Sequence, residues 1–385
     1  MSRRPIYLDG NATTPLDQRV LDAMLPYFTQ YFGNPASITH QYGWEAEAAV
    51  KKARETIAAA INASPEEIVF TSGATEANNL AIKGVAEAYF NKGRHIITVA
   101  TEHNAVLDPC GYLESLGFEV TYLPVKNDGL IDLNLLEKAI RPETILVSAM
   151  AANNEIGALQ PLAEIGEICR DRSIIFHTDA AQALAKVPLD VQKMKIDLMS
   201  LTAHKIYGPK GIGALYVRRR NPRVKVAAQI HGGGHERGMR SGTLYTPQIV
   251  GFAKAVEVGM AEMESEGERL ASLRDRLWEK LLPVGSIFLN GHPTQRLPGN
   301  LNVSVEGVDG QALILALQPM VAVSSGSACT SAKIEPSHVL AALGVPEKLA
   351  YASVRFGIGR FNTVEEIDKV AEGAIGAIKS LRSVR

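Results

Sequence analysis

The fold is decided by the stretch Ile174-Ile175-Phe176-His177-Thr178-Asp179-Ala180-Ala181-Gln182 together with Ser200-Leu201-Thr202-Ala203-His204-Lys205. Each stretch predicts an apolar strand that delivers polar groups at its carboxyl end. Open α/β sheets bind their ligands at that edge. We therefore expect a ligand site in which Asp179 and Lys205 lie on neighbouring strand ends.

Strand and helix patterns alternate on both sides of these stretches. Helices are predicted at 133–140, with Asp132 as the N-cap, and at 162–172. Strands are predicted at 68–70, 95–100, 118–123, 145–150, 174–178, 198–202 and 212–217. Several of them are continuous Ile/Val/Leu runs, which is typical of strands covered on both faces. The pattern predicts an α/β fold with a mainly parallel sheet between helices.

A second, smaller domain is indicated by a change of pattern near residue 260. Residues 247–282 read as a charged helical segment, and short strands and helices follow it up to a final helix from Val364. We predict a large ligand-binding domain at 16–259. Residues 1–15 and 260–385 are predicted to form a smaller α+β domain.

Composition and charge exclude several classes of protein. The 385 residues are 46% hydrophobic and 21% charged, which is ordinary for a globular chain. A formal net charge of -1 offers no electrostatic case for binding nucleic acid or an anionic membrane. No apolar stretch approaches the ~18 residues of a membrane span, and no signal peptide is predicted.

Three cysteines occur without C-x-x-C spacing, which argues against a zinc site or a disulfide framework. No metal is expected. A reducing compartment leaves room for one reactive thiol, and we expect the cytoplasm.

Lys205 and Asp179 are the two groups that a pyridoxal cofactor requires. Such a cofactor needs a lysine amine for a Schiff base and a carboxylate that keeps its ring nitrogen protonated. Taken singly, Asp179 could be a turn residue and Lys205 a surface lysine. A phosphate site nearby would favour the cofactor.

That phosphate site is predicted at Phe70-Thr71-Ser72-Gly73-Ala74-Thr75-Glu76-Ala77. A strand, a small-residue turn and a helix beginning at about Thr75 leave backbone N–H groups free for an anion. Gly73 allows close approach, and Thr75 is expected both to cap the helix and to bind phosphate. The alternative is a plain strand-to-helix turn, and the spacing is not that of a P-loop.

Two further strand ends carry polar side chains. His103 follows the strand that ends at Ala100, where its ring could lie on an aromatic cofactor and move protons. The amide of the Asn153-Asn154-Glu155 segment could bond the cofactor's phenolic oxygen. The alternative for a lone histidine is a structural role.

Cys329 lies in the segment Ser324-Ser325-Gly326-Ser327-Ala328-Cys329-Thr330-Ser331. Small polar neighbours are unusual for a buried structural cysteine, so we expect an accessible and reactive thiol. Cys110 and Cys169 lie on helical patterns and are expected in the core.

The chain as a whole, from about residue 5 to 385, resembles the NifS/IscS-type cysteine desulfurases. These belong to the class V aminotransferase group of fold-type I pyridoxal-phosphate-dependent transferases. The cysteine-loop motif is specific to the desulfurases, whereas the Thr71–Thr75 motif is shared with related transaminases. The resemblance is carried by Tyr7-Leu8-Asp9, Asn11-Ala12-Thr13-Thr14-Pro15, Phe32-Gly33-Asn34-Pro35-Ala36-Ser37, Thr71–Thr75, Thr101-Glu102-His103, Asn153-Asn154-Glu155-Ile156-Gly157, His204-Lys205, Arg240-Ser241-Gly242-Thr243, Ser324–Ser331 and Arg355-Phe356.

The resemblance implies roles for named residues around pyridoxal 5'-phosphate. Lys205 would bind the cofactor covalently, Asp179 would pair with its ring nitrogen, and His103 would stack on the ring. Asn154 and Gln182 would contact the phenolic oxygen. The phosphate would be held by Ala74, Thr75, Thr202, Ala203 and His204, with Thr243 reaching it from the other subunit of a homodimer.

The same resemblance implies a substrate and a reaction. Arg355 would clamp the carboxylate of L-cysteine, with Asn34 and Asn11 nearby. Catalysis by Lys205, His103 and Cys329 would yield L-alanine and a persulfide on Cys329. The sulfur would pass to an acceptor protein such as an iron–sulfur scaffold, for cluster assembly or another sulfur pathway. Thr202-Ala203 replaces the Ser-Gly of many relatives but keeps the hydroxyl.

Two alternatives are weighed against this interpretation. A selenocysteine lyase or a transaminase would share the fold, but a transaminase would not need Cys329. A catalytically inactive binding protein would be expected to lose Lys205 or Asp179, and both are present.

Overall fold

The computed structural model describes residues 4–325, 327–328 and 335–383. The strands in chain order are β1 (Ile6–Tyr7), β2 (Ile68–Thr71), β3 (His95–Val99), β4 (Glu119–Leu123), β5 (Thr144–Ser148), β6 (Ile175–Asp179), β7 (Leu198–Thr202), β8 (Gly213–Val217), β9 (Ile287–Leu289), β10 (Asn300–Val305), β11 (Val321–Ala322), β12 (Ser324–Ser325), β13 (Ser327–Ala328), β14 (Glu335–Pro336) and β15 (Ser353–Gly357). The helices are α1 (Gln18–Met24), α2 (Pro26–Thr29), α3 (Gln41–Ala60), α4 (Ala74–Ala88), α5 (Asn104–Ser115), α6 (Leu133–Ala139), α7 (Leu162–Asp171), α8 (Thr246–Leu281), α9 (Gly310–Leu317), α10 (His338–Ala342), α11 (Glu347–Tyr351) and α12 (Val364–Ser383). Short 3₁₀ turns lie at Pro65–Glu67, Glu236–Gly238 and Leu282–Val284.

The central sheet has seven strands in the order β2-β8-β7-β6-β5-β3-β4. Five adjacent strands, β4, β3, β5, β6 and β7, run parallel to one another, whereas β8 runs antiparallel to both β7 and β2. Asp179 pairs in register with Ser200, so the carboxyl ends of β6 and β7 meet at one edge. The predicted fold class, a mainly parallel sheet between helices, is confirmed.

The apolar runs form strands because both faces of the sheet are covered. Ile97, Phe176 and Met199 belong to one hydrophobic core. Their direct neighbours Ile96, Ile175 and Leu198 belong to another. Since successive side chains of a strand point to opposite faces, each strand supplies both cores, and a continuous apolar run results.

A second sheet, with the order β12-β15-β10-β9, packs on α9, α12 and the end of α8. Its core also includes Leu8, which comes from the N-terminal segment. The 36 residues of α8 run through position 260 without a break, contributing Phe252 to the first core and Leu277 to this one. The domain boundaries at 15 and 260 stay predictions, and the second of them lies inside one continuous helix.

Among the described residues, no helix combines the length and the apolar character that crossing a membrane would require.

Candidate active site

A cavity of about 610 Å³ opens at the carboxyl ends of β6 and β7. Its size suits a small-molecule ligand. It is walled by the beginning of α4, the segment before α5, the loop after β5, the N-terminal segment and β15. The predicted site residues that line it are Asn11, Ala74, Thr75, His103, Asn154, Asp179, Gln182, Thr202, His204, Lys205 and Arg355.

Three other predicted residues lie outside this cavity, and Cys329 lies outside the described residues. The Ala203 side chain is fully buried. It packs against Gly208 so closely that a Cβ added to that glycine would lie 2.8 Å from the Ala203 Cβ. Asn34 is exposed, and its Oδ1 accepts a hydrogen bond from the Ala36 N–H at 2.9 Å, which closes a local turn. Neither Ala203 nor Asn34 lines this cavity, and their predicted contacts with the ligand stay predictions. Thr243, predicted to act on the other subunit's cofactor, lies in a separate cleft.

Lys205 is held in the cavity wall by two backbone carbonyls. Its Nζ donates to the oxygen of Asn11 at 2.5 Å and to that of Ala12 at 2.6 Å. Burial lowers the pKa of Lys205 to about 7, helped by the positive charges of Lys186 and Arg355. A substantial fraction of the amine is therefore neutral near pH 7, as a nucleophile or a base requires.

Asp179 is buried and fixed at both carboxylate oxygens. Asn78 Nδ2 donates to one at 2.7 Å, and the Ala181 N–H donates to the other at 2.9 Å. The fully buried Glu102 has a pKa raised well above its usual range, by burial first and then by the charge of Asp179. The neutral form of Glu102 is therefore favoured.

The two histidines of the cavity are neutral. His103 caps α5, where its Nδ1 accepts from the Ala105 N–H at 3.0 Å, so the ring proton is on Nε2. Burial lowers the pKa of His103. Burial, assisted by Lys205 and Lys210, lowers the pKa of His204 to about 4. His103 therefore offers an N–H donor without adding a charge.

The beginning of α4 has the geometry of an anion site, with an uncapped N-terminus. No side chain among the described residues caps it, and the N-cap residue is Gly73 rather than the predicted Thr75. Gly73 has φ 155°, and a Cβ added to it would meet nothing within 4 Å. Ala74 and Thr75, at the uncapped start of the helix, line the cavity, so their N–H groups lie beside it. A Cβ on Gly213 of β8 would come within 2.7 Å of the Gly73 backbone, so a glycine is needed there for close packing.

The turn before α4 is braced by Glu76. Its carboxylate accepts from the Ser72 N–H at 2.7 Å and from Arg240 Nε at 2.8 Å. Arg240 comes from the glycine-rich segment that precedes α8, so the segment is tied to the anion site by an ion pair.

Arg355 of β15 is anchored through three of its five guanidinium N–H groups. Its Nη2 donates to Asp9 Oδ1 at 2.7 Å and to Ser324 Oγ at 2.8 Å, and its Nη1 donates to the Asn154 carbonyl at 2.9 Å. Its buried Nε–H has no acceptor among the described residues. A buried donor without a partner is costly, which is consistent with an anionic ligand here.

Sequence reasoning missed several residues of the site. Asp9 and Ser324 belong to the motifs named above, but their role as the anchors of Arg355 is seen only in the structure. Thr13, Met150, Ala152 and Lys210 also line the cavity. The signal that could have found Thr13 and Lys210 is their position within or just after motifs already singled out.

The fold and the cavity place the chain in the fold-type I class of transferases. The Aminotransferase class-V family matches residues 6–370. A cysteine desulfurase IscS from Dechloromonas aromatica is 57% identical over 381 residues, which cover 98% of this chain and 94% of that protein.

Solved structures agree with this relationship. A NifS-like protein superimposes with a TM-score of 0.92 at 38% identity, covering 98% of this chain and 100% of the other. A structure described as SspA in complex with cysteine gives a TM-score of 0.83 at 42% identity, covering 93% and 100%. The chain belongs to the class V aminotransferase family, and within that family to the cysteine desulfurases.

Proposed function

We propose that this cysteine desulfurase converts L-cysteine to L-alanine and takes up the sulfur as a persulfide on Cys329, using pyridoxal 5'-phosphate bound in the cavity. The proposal is carried by one observation. A buried lysine amine with a pKa of about 7, a fixed carboxylate and an uncapped helix N-terminus surround a single cavity.

The residues of the cavity suit this cofactor. The beginning of α4 would hold the phosphate, together with Thr202 and His204. Asp179 would pair with the ring nitrogen, and His103 would cover the ring face. Asn154 and Gln182 would contact the phenolic oxygen, and Lys205 would bind covalently. When bound, the cofactor supplies an electron sink for negative charge at the substrate Cα.

The chain's own groups would do the rest of the chemistry. Arg355, which lines the cavity, would bind the substrate carboxylate, and the Lys205 amine would accept the α-proton. The Cys329 thiolate attacks the substrate sulfur, so an S–S bond forms as the Cβ–S bond breaks. The carbon fragment takes up one proton at Cβ, regains the α-proton at Cα from Lys205 and leaves as L-alanine, and Cys329 keeps one extra sulfur. The Nε2–H of His103 is a proton donor within the same cavity.

A homodimer is part of the proposal. Exposed aromatic rings form a patch consisting of Phe28, Phe32, Tyr42 and Tyr245, each at least 46% exposed. Phe28 and Tyr245 are in edge contact at 6.3 Å, and Thr243 lines the same cleft. Exposed apolar patches of this kind favour a protein partner, and a second copy would cover the patch around Thr243.

The sulfur acceptor that we propose is a protein such as an iron–sulfur scaffold. This part of the proposal comes from the family resemblance alone. A cytoplasmic location likewise stays a prediction from the sequence.

The test of the proposed function is mass spectrometry after addition of L-cysteine. We expect the mass of one extra sulfur on the Cys329 peptide and the release of L-alanine. Cys110 and Cys169 serve as internal controls, because both are buried and burial raises the pKa of Cys110 to about 12. Alanine formation without sulfur on Cys329, or with sulfur on Cys110, would refute the proposal.

Arg355→Lys is expected to raise KM for L-cysteine by about 10- to 100-fold, because it keeps the charge but loses the guanidinium fork. Steady-state alanine release measures this change. Arg276→Lys is the matched control, since Arg276 forms a surface ion pair with Asp368. An unchanged KM in Arg355→Lys would exclude Arg355 as the carboxylate clamp.

A further inference from the structure

A second, smaller cavity lies behind Lys205, on the side away from the α4 anion site. It measures about 50 Å³, and Lys186, Lys205 and Glu266 are among the residues that line it. Lys186 is partly buried, and no role for it follows from the cofactor chemistry described above. A buried lysine is unusual unless it is paired, so its partners need an explanation.

The partners of Lys186 lead back to Lys205 through a continuous hydrogen-bonded chain. Lys186 Nζ donates to Gln182 Oε1 at 3.3 Å, and Asn11 Nδ2 donates to the same oxygen at 3.2 Å. Gln182 Nε2 donates to the Asn11 carbonyl at 2.7 Å. That carbonyl is also the one that accepts from Lys205 Nζ at 2.5 Å.

This chain determines which way the Gln182 amide faces. An ammonium group only donates, so the atom facing Lys186 must be the oxygen, and the nitrogen must face Asn11. Without Lys186 the amide loses one of the two donors that fix its orientation. Lys186 therefore orders the side chain that holds the Asn11 carbonyl, which in turn positions the Lys205 amine.

The charge of Lys186 is not neutralised locally. No carboxylate lies within 4.0 Å of its amine among the described residues. Glu266 shares the small cavity, but its carboxylate accepts from Arg360 Nη2 at 2.8 Å. The charged groups that act on Lys205 are Lys186 and Arg355 on the positive side and Asp9 and Asp179 on the negative side.

The electrostatics agree with the geometry. Burial lowers the pKa of Lys186 to about 8. After burial, the charge of Lys186 is the largest contribution that lowers the pKa of Lys205. His103 and His204, the other titratable groups beside Lys205, are neutral near pH 7 because burial lowers the pKa of each.

We infer that Lys186 is a positioning residue for Lys205, holding its amine through Gln182 and Asn11 and adding a second positive charge at the same small cavity. This inference rests on the proposed function for its purpose, since a covalent cofactor bond and proton abstraction both need a neutral amine. The simpler alternative is that Lys186 only stabilises the fold of the loop after β6.

The test is competitive acylation of the cofactor-free, full-length protein with acetic anhydride over about pH 6 to 11, read by peptide mass spectrometry. Only a neutral amine reacts, so the midpoint for each lysine is its pKa. In the wild type we expect midpoints of about 7 for Lys205 and about 8 for Lys186. An ordinary lysine midpoint at Lys205 would overturn the inference without any variant.

The variants separate positioning from folding. In Lys186→Met the Lys205 midpoint is expected to rise by about one pH unit, which lowers the reactive fraction at pH 7 about fivefold. Lys186→Arg should retain the wild-type midpoint because it retains the charge. Lys193→Met is the matched control, since Lys193 is 86% exposed.

A purely structural role predicts a lower melting temperature with an unchanged Lys205 midpoint, and that result would overturn the inference. If Lys186→Met does not fold, Lys186→Gln gives the same comparison. The acylation needs neither turnover nor Cys329. Failure of the inference and failure of the proposed desulfurase reaction are therefore seen in different measurements.

Discussion

Lys205→Ala is expected to reduce alanine formation from L-cysteine by at least ~10³-fold, because it removes both the covalent anchor and the base. The loss follows from the surroundings of the amine, which burial keeps at a pKa of about 7 beside two backbone carbonyls. Among the lysines whose pKa shift is resolved, Lys186 is the other one whose pKa is lowered by burial, and it does not line the large cavity.

Borohydride reduction gives a readout that does not depend on turnover. In the wild type, reduction should fix the mass of the cofactor on the Lys205 peptide and bleach the yellow colour. The Lys205→Ala protein should carry no such mass. Lys193→Ala is the control, because its side chain is 86% exposed and does not line the large cavity. Cofactor fixed on another lysine of the wild type would contradict the assignment.

Cys329→Ser is expected to abolish persulfide formation and to lower sustained alanine release by ~10³-fold or more, since a hydroxyl is a far weaker nucleophile than a thiolate. The cofactor absorbance should be unchanged, because the residues proposed to hold the cofactor lie on other elements. Anaerobic assays of alanine and of sulfide after reduction measure the effect.

The matched control for this variant is Cys169→Ala. Cys169 is buried on α7, so its removal is expected to lower stability while leaving turnover intact. Undiminished turnover in Cys329→Ser would exclude the persulfide mechanism.

Short sequence patterns predict those strands and helix caps that depend on residues close together in the chain. The continuous apolar runs predicted the strands of the central sheet because those strands are covered on both faces. Asp132 was predicted as an N-cap, and its side chain accepts from the Asn134 N–H at 2.9 Å. The helix after β2 was predicted to be capped by Thr75, which is wrong because Gly73 occupies the N-cap without a side-chain bond.

Contacts between distant parts of the chain could not be predicted in this way. Arg355 was assigned to a carboxylate by resemblance, but its anchoring by Asp9 and Ser324 joins three segments that are far apart in sequence. The family motif placed Asn34 near the substrate carboxylate, whereas in the structure its side chain accepts a hydrogen bond from the Ala36 N–H within its own turn. A motif conveys residue types and spacing, whereas the direction of a side chain depends on what packs beside it.

The sequence by itself determined the fold class and the strand ends on which Asp179 and Lys205 lie. Apolar periodicity can be recognised within short segments, and open α/β sheets bind their ligands at the carboxyl ends of the strands. Only the tertiary structure decided the pKa of the Lys205 amine. Burial and the charges of Lys186 and Arg355, brought near by folding, bring the pKa of Lys205 to about 7. Electrostatic energy depends on distance through space and on exclusion of water, and neither quantity can be obtained from spacing along the chain.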